Sequence, residues 1–379
     1  MKTRLMAVAV TVALIPAIAA WGAPSASADT GTPLDCAGVV AVPGGYQLTQ
    51  EAVCSLNWIG NDEFFDLGGH TLTGGLRPRG HNQVVRNGTL LPGRGDDWSM
   101  ASDFTASYVA IRPAPSTSWL GIFIEAGSNL TVDHSTFENI PGAALDFFFF
   151  EGGTVRDSVF RGNGTGISIQ KSTDVLIENS SFIDNGRGVN LWPEDHYGVD
   201  RNTIKHNTFR GNGYGVTIHD DGPGFLPTGL QDNLIARNQF QASGHSGIAI
   251  TKQCRNSISS VQCLDSSGNV IRDNHFTKSG FETPAEVPND DGITARGIFS
   301  GNPSVSYPAA LVGFTLSGNR ADRNADLGFD VLGVTDGGGN SAKFNGNRTQ
   351  CEGLVCRVPR GAVRQDLGAG NTLTEFTHQ

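Results

Sequence analysis

Phenylalanine recurs with an aliphatic residue five positions before it, and this pairing constrains the fold more than any other feature of the sequence. The pairs are Val132/Phe137, Val155/Phe160, Ile177/Phe182, Ile204/Phe209, Ile235/Phe240 and Ile271/Phe276, with Leu316/Ala321 as a degenerate member. Two positions before each anchor stand Ser135, Ser158, Ser180, Asn207, Asn238, Asn274 and Asn319. Three positions after it, from the second anchor on, stand Asn163, Asn185, Asn212, Ser243, Ser279 and Asn324. A glycine then opens an apolar-x-apolar triplet: Gly166-Ile167-Ser168-Ile169, Gly188-Val189-Asn190-Leu191, Gly215-Val216-Thr217-Ile218 and Gly247-Ile248-Ala249-Ile250. Self-similarity of this kind marks a repeat architecture.

The triplets alternate with period two, so each repeat reads as two or three short strands joined by polar turns, with alternate side chains inward. One such coil cannot bury its own apolar residues, but stacked coils can, as parallel sheets with strands about 4.8 Å apart. Like then stacks on like, giving Phe and Ile rows inside and Asn rows at the turns. An inward Asn can both donate to and accept from backbone groups of neighbouring coils. A leucine-rich horseshoe would need Leu-dominated repeats and helices, and a β-sandwich would not keep one register through so many repeats.

Composition agrees with this reading. Fifty glycines among 379 residues and only 17% charged residues argue against a helical bundle. The glycines show no three-residue period, which excludes collagen, and 21 Phe are too many for a disordered chain. Lys2 and Arg4 precede an apolar run from Leu5 to Ala20, and Ala26-Ser27-Ala28 offers a cleavage site, so residues 1–28 read as a secretory signal. No later stretch approaches the roughly 20 apolar residues of a spanning helix. Loss of Lys2 and Arg4 moves the formal charge from −10 to −12, which makes nucleic acid a poor partner. Six cysteines in an exported chain read as disulfides rather than a zinc site, since no Cys-x-x-Cys spacing occurs. The expected pairs are local ones: Cys36–Cys54, Cys254–Cys263 and Cys351–Cys356.

Given these repeats, the chain resembles the right-handed parallel β-helix proteins of the pectate-lyase-like superfamily. Asp66-Leu67-Gly68-Gly69-His70-Thr71-Leu72-Thr73-Gly74 resembles the signature that opens many secreted members. The resemblance covers roughly residues 61–350 and implies an all-β, single-stranded right-handed parallel β-helix of about ten coils. Residues 29–60 then read as an N-terminal cap with its disulfide, residues 351–379 as a C-terminal cap or tail, and the Pro-containing stretch 91–120 as an excursion. Such folds host lyases, hydrolases, epimerases and non-catalytic binders.

Outward residues of the glycine-led strand form a ladder: Asp146, Gln170, Asn190 with Trp192, Thr217 with His219, Thr251, Thr294 with Arg296, and Asp330. The loops that follow carry Glu194-Asp195-His196-Tyr197, Asp220-Asp221-Gly222 and Lys252. The candidate catalytic residues are His219, Asp220, Asp221, Arg296, Lys252 and His196, as bases or acids. Trp192, Tyr197, Glu194 and Asn190 are candidate sugar contacts, because aromatic faces match the C–H faces of sugars. Asp195, Asp220 and Asp221 are candidate Ca²⁺ ligands; the alternative is no cofactor. Taken singly, Asp220-Asp221-Gly222 is a common turn sequence and His219 an ordinary strand residue; only their co-location raises the functional reading. Phe147–Phe150 is expected as a sugar platform or a lid over the 91–120 excursion.

Two family motifs are partly present. Tyr197-Gly198-Val199-Asp200 resembles the start of the alginate C5-epimerase motif, but Arg201-Asn202 replaces its Pro-His. Gly244-His245-Ser246-Gly247 resembles the Gly-His-Gly of polygalacturonases with a serine inserted. The resulting expectation is a secreted, monomeric carbohydrate-active enzyme on a polysaccharide, with lyase or epimerase chemistry ahead of glycoside hydrolysis. A non-catalytic carbohydrate-binding β-helix, or a small-molecule cyclase or isomerase, are the alternatives.

Overall fold

A computed structural model describes residues 35–92, 96–98, 102–114, 121–193, 198–219, 229–257, 260–263, 266–280, 292–299, 308–309, 313–346 and 350–359. For 96–97, 219, 251–257, 260–263, 294–299 and 308–309 the description is of backbone only. Residues 1–28, expected as a signal segment, Glu194 to Tyr197 and Asp220-Asp221 lie outside the described residues. The described residues form strands and turns without a helix, so they contain no helix long and apolar enough to cross a membrane.

Each central coil has two three-residue strands and one six-residue strand. In one coil these are Leu176–Glu178, Ser181–Ile183 and Arg187–Trp192. Every one pairs in parallel with its counterpart in the coils before and after, Ile177 opposite Val155 and Ile204, Phe182 opposite Phe160 and Phe209, Val189 opposite Ile167 and Val216. The register slips nowhere between these coils, because a one-residue slip would turn every inward residue to solvent.

The interior is therefore a set of rows. Phe137, Phe160, Phe182, Phe209, Phe240 and Phe276 stack face to face, with centroids 4.7–5.0 Å apart and planes within 10°. This spacing is the inter-strand distance of the sheet, so ring stacking and backbone pairing reinforce one another. It also explains the glycine that opens the long strand. A Cβ on Gly188 would lie 2.6 Å from a ring carbon of Phe209, and one on Gly215 would lie 2.4 Å from that of Phe240.

The polar rows behave as expected. Asn207 donates to the Ile177 carbonyl at 2.9 Å, its amide oxygen accepts the Ser180 N–H at 2.9 Å, and the next coil's Asn238 repeats the pattern. These bonds hold a residue of positive φ at each turn, His206 (56°), Arg237 (56°) and Asp273 (57°), a backbone state that side chains otherwise resist. A third row, Asn202, Asn233 and Asn269, stands after the long strand's loop and went unread in the sequence.

The Asp66–Gly74 signature builds a turn. The Asp66 carboxylate accepts from the Gly68 N–H at 2.9 Å and from Arg86 Nε at 3.0 Å, while Leu67 and Leu72 are buried. At the N-terminal end, Val39–Val42 and Gly45–Leu48 form an antiparallel hairpin joined to Ala52–Trp58 by the Cys36–Cys54 disulfide. Gly45–Leu48 and Ala52–Trp58 already pair in parallel with the next coil, so stacking begins inside the segment expected as a cap. Cys351–Cys356 is also bonded, and Cys254 stands opposite Cys263 in a backbone hairpin.

Candidate functional site

The long strands form one sheet, from Asp96–Asp97 through Ile122–Glu125, Ala143–Phe148, Thr165–Gln170, Arg187–Trp192, Tyr214–His219, Ile248–Ser257, Ile293–Phe299 and Phe329–Val331 to Cys351–Glu352. Its inward residues, Ile167 and Ile169 for example, are fully buried. Between each inward pair lies one outward residue, and parallel register aligns these into a floor: Phe123, Asp146, Ser168, Asn190, Thr217, Ala249 and Asp330, with the backbone of Thr294 in register between the last two.

This floor faces outward yet is closely covered. Asp146 and Ser168 are each 4% exposed, Asn190 7% and Thr217 6%. The cover comes from two flanking columns. On one side stand Glu125, Phe148, Gln170 and Trp192. Leu191 pairs with Ile218, so His219 continues that column, followed by Thr251 and Arg296 in register. On the other side stand Ala143, Thr165, Arg187 and Tyr214, with the Tyr214 ring stacked on His245 at 4.6 Å.

The polar groups of the floor are linked. Thr217 Oγ1 donates to Asn190 Oδ1 at 2.7 Å. Gln170 Nε2 donates to both oxygens of Asp146, at 2.9 and 3.1 Å, and contacts Ser168 Oγ at 3.2 Å. Burial raises the Asp146 carboxyl to about 6, against the pull of these hydrogen bonds. Among the described residues, the Asn190 NH₂ and the Trp192 indole N–H have no partner. Both are hydrogen-bond donors on the covered face, set on neighbouring positions of one strand.

A family model described as "Right handed beta helix region" matches residues 120–281. The chain folds as a right-handed parallel β-helix. Known structures share this β-helix at low identity. The tailspike protein of E. coli bacteriophage HK620, solved with a pentasaccharide, aligns with TM-score 0.53 at 11% identity, covering 82% of this chain and 65% of the tailspike. A mutant of the periplasmic alginate epimerase AlgG aligns with TM-score 0.48 at 14% identity, covering 85% of this chain and 78% of the epimerase. The catalytic unit of a GH87 α-1,3-glucanase from Streptomyces thermodiastaticus aligns with TM-score 0.47 at 16% identity, covering 78% and 61%. The β-helix thus spans somewhat less than two thirds of the tailspike and glucanase chains. No curated protein sequence matches it.

Of the sequence-derived candidates, the β-helix register brings Asn190, Trp192, His219 and Arg296 onto one face; for His219, Lys252 and Arg296 only the backbone is described. Glu194, Asp195, His196, Tyr197, Asp220 and Asp221 lie outside the described residues. The expectation for Phe147–Phe150 needs correction. Phe147 and Phe150 are buried in the core, and only Phe148 and Phe149 face out, with Lys171 Nζ 5.0 Å from each ring centre. Strand parity explains the split: Phe147 sits in the inward register of Ile124 and Ile169, and Phe148 in the outward register of Glu125 and Gln170. The partial epimerase motif contributes structure, since Val199 is buried and Asp200 accepts the Gln231 N–H at 2.7 Å. Asp146 stood in the sequence ladder without being singled out. Its signal is burial, which no single strand reveals.

Proposed function

We propose that this β-helix is an extracellular carbohydrate-active protein that holds a polysaccharide along the floor of its long-strand sheet and acts on it by elimination or epimerisation, ahead of hydrolysis. One observation carries the reading. The outward row is polar and hydrogen-bonded, retains unpartnered donors at Asn190 and Trp192, and runs between columns bearing Phe148 and Trp192 on one side and Tyr214 on the other. Ring faces with interleaved donors suit a sugar chain, whose rings alternate C–H faces with hydroxyl edges. The saccharide in the tailspike complex and the alginate and glucan named in the other two structures are consistent with this class of ligand. The disulfides fit an oxidising compartment.

In this proposal His219, Lys252 or Arg296 removes the proton at C5 of a uronate, and the cationic members offset its carboxylate. His196, Asp220 and Asp221 serve acid–base steps, while Trp192, Tyr197, Glu194 and Asn190 bind the sugar. A Ca²⁺ ion would neutralise the uronate carboxylate and would draw on Asp195, Asp220 and Asp221. Among the described residues no three His, Cys, Asp or Glu side chains converge on one point; Asp195, Asp220 and Asp221 lie outside them.

The test is a panel of uronate-containing and neutral glycans, with and without Ca²⁺, read by unsaturated-product absorbance, new reducing ends and C5 configuration. Turnover on a uronate glycan, lost in His219→Ala and weakened in affinity by Trp192→Ala, is the expected result. Binding without turnover would instead favour a non-catalytic carbohydrate-binding role, and silence across the panel would overturn the proposal.

A further inference from the structure

Asp146 is an acid of the outward row whose surroundings ask for an explanation beyond folding. Its neighbours in the row are Phe123 on the preceding strand and Ser168 on the following one. Its hydrogen bonds come from an uncharged group, the Gln170 amide, which also contacts the neighbouring Ser168 hydroxyl. The charged residues nearest by register are Glu125, one strand back and two positions along, Asp97, in the same row two strands back, Lys171, drawn over the Phe148 and Phe149 rings, and Arg187, exposed at the far edge two strands on. None of them forms an ion pair with Asp146.

A carboxylate in such a place is poorly solvated and unpaired, whereas an amide of the same shape would give up one accepted bond and avoid burying a charge. The floor itself shows an uncharged alternative two strands away, where the Asn190 amide oxygen accepts from the Thr217 hydroxyl. A costly acid kept where a neutral isostere fits is the pattern of a residue retained for chemistry. The surroundings point the same way. Phe123 and Phe148 lie 5.9 Å apart and Phe148 and Phe149 meet edge to face at 4.6 Å, forming a half-buried apolar wall beside the carboxyl. The unpartnered Asn190 NH₂, on a residue 7% exposed, lies further along the same floor.

We propose that Asp146 is the proton donor to the leaving glycosidic oxygen when a polysaccharide on this face is cleaved. The inference rests on the carbohydrate-active reading above and narrows it to chain scission. In hydrolysis, which needs no base from the distant strands, the glycosidic oxygen takes the proton of the Asp146 carboxyl as its bond to the anomeric carbon breaks, and a water molecule adds at that carbon and gives up a proton to solvent. The resulting carboxylate is held by Gln170 until a proton returns from water. Gln170 is a positioning residue, since its Nε2 fixes both carboxyl oxygens.

The experiment compares the full mature chain with Asp146→Asn, Gln170→Ala and the control Lys205→Ala, whose native side chain pairs with Glu178 on another sheet. Oligosaccharide binding, cleavage and the pH–rate profile are measured for each. Asp146→Asn should cut cleavage by about 10²–10⁴-fold and leave binding within about threefold. The wild-type rate should fall as pH rises through about 6, where the acid loses its proton, and Gln170→Ala should move that limb. Cleavage kept within threefold in Asp146→Asn, with the same limb, would overturn this role and leave the carbohydrate reading standing. Binding or epimerisation without scission in the wild type would do the same. A wild type that neither binds nor alters any glycan would overturn both. Should Asp146→Asn fail to fold, the Gln170→Ala limb decides: an unmoved limb counts against Asp146.

Discussion

Asp146 and Asp66 are carboxylates on the same scaffold with opposite electrostatic fates, and each makes a measurable prediction. Burial raises Asp146 to about 6, against about 3.9 in an unfolded chain. The folded state therefore binds the extra proton between about pH 4 and pH 6, so stability falls as pH rises through that window and levels off above it. Two units correspond to roughly 3 kcal/mol as an upper bound. Asp146→Asn should thus raise the melting temperature at pH 8 and leave it nearly unchanged at pH 4. An equal effect at both values would mean that the charge costs nothing. At Asp66 burial also disfavours the charge, but the Gly68 N–H, Arg86 and Asn87 outweigh it and lower the pKa. This carboxylate contributes stability above its unfolded pKa and loses it as pH falls, so Asp66→Asn should destabilise at pH 7 and converge on wild type in acid.

At the scale of strands and turns, what could be read in advance was whatever repeats at a fixed offset. Phe209 and Asn207 are two residues apart in every coil, so their rows were legible, and Phe209→Ala should cost about 3–5 kcal/mol through its cavity. Asn238→Ala should cost a comparable amount although it removes no apolar surface. It would orphan the Asn207 N–H and the Ile204 carbonyl, each at about 1–3 kcal/mol. A loss below about 1 kcal/mol in chemical denaturation would show that water replaces the ladder. The row Asn202, Asn233 and Asn269 stands at a fixed offset too, seven residues before Phe209, Phe240 and Phe276, but it spans only three coils: the preceding coil has Val175 at that position, and the following one Phe314. The Phe147–Phe150 run misled for another reason: four identical residues carry no parity, and the positive φ of Phe149 (52°) turns Phe150 back to the core. At the site, the column from Trp192 to Arg296 followed from alternation alone. The burial of Asp146 did not, because its cover comes from Phe123, Ser168 and Gln170 on the two adjoining strands.

At the scale of the whole molecule, every coil of a parallel solenoid touches chiefly its two neighbours, so stability is a chain of local interfaces and the ends are its weak points. This protein treats its two ends alike. The N-terminal hairpin is bonded to the first coil by Cys36–Cys54, whose cysteines are 18 residues apart. At the C-terminal end, Cys351–Cys356 closes a short loop that Asp336 also ties down by accepting the Val355 N–H at 3.0 Å. A loop of about fifteen residues or slightly more is worth roughly 3 kcal/mol when cross-linked, and in a solenoid that contribution should be felt near the link. Replacing Cys36 and Cys54 by serine should therefore release amide hydrogen-exchange protection over residues 39–78 first, through the strands that pair in parallel there. Residues 154–210 should keep their protection, since their rows of Phe160, Phe182 and Phe209 are held from both sides. Phe209→Ala should give the opposite map, with exchange spreading outward from the central coils. If the serine pair instead lowered protection evenly along the chain, the nearest-neighbour picture would fail, and the β-helix would have to be treated as one cooperative unit from end to end.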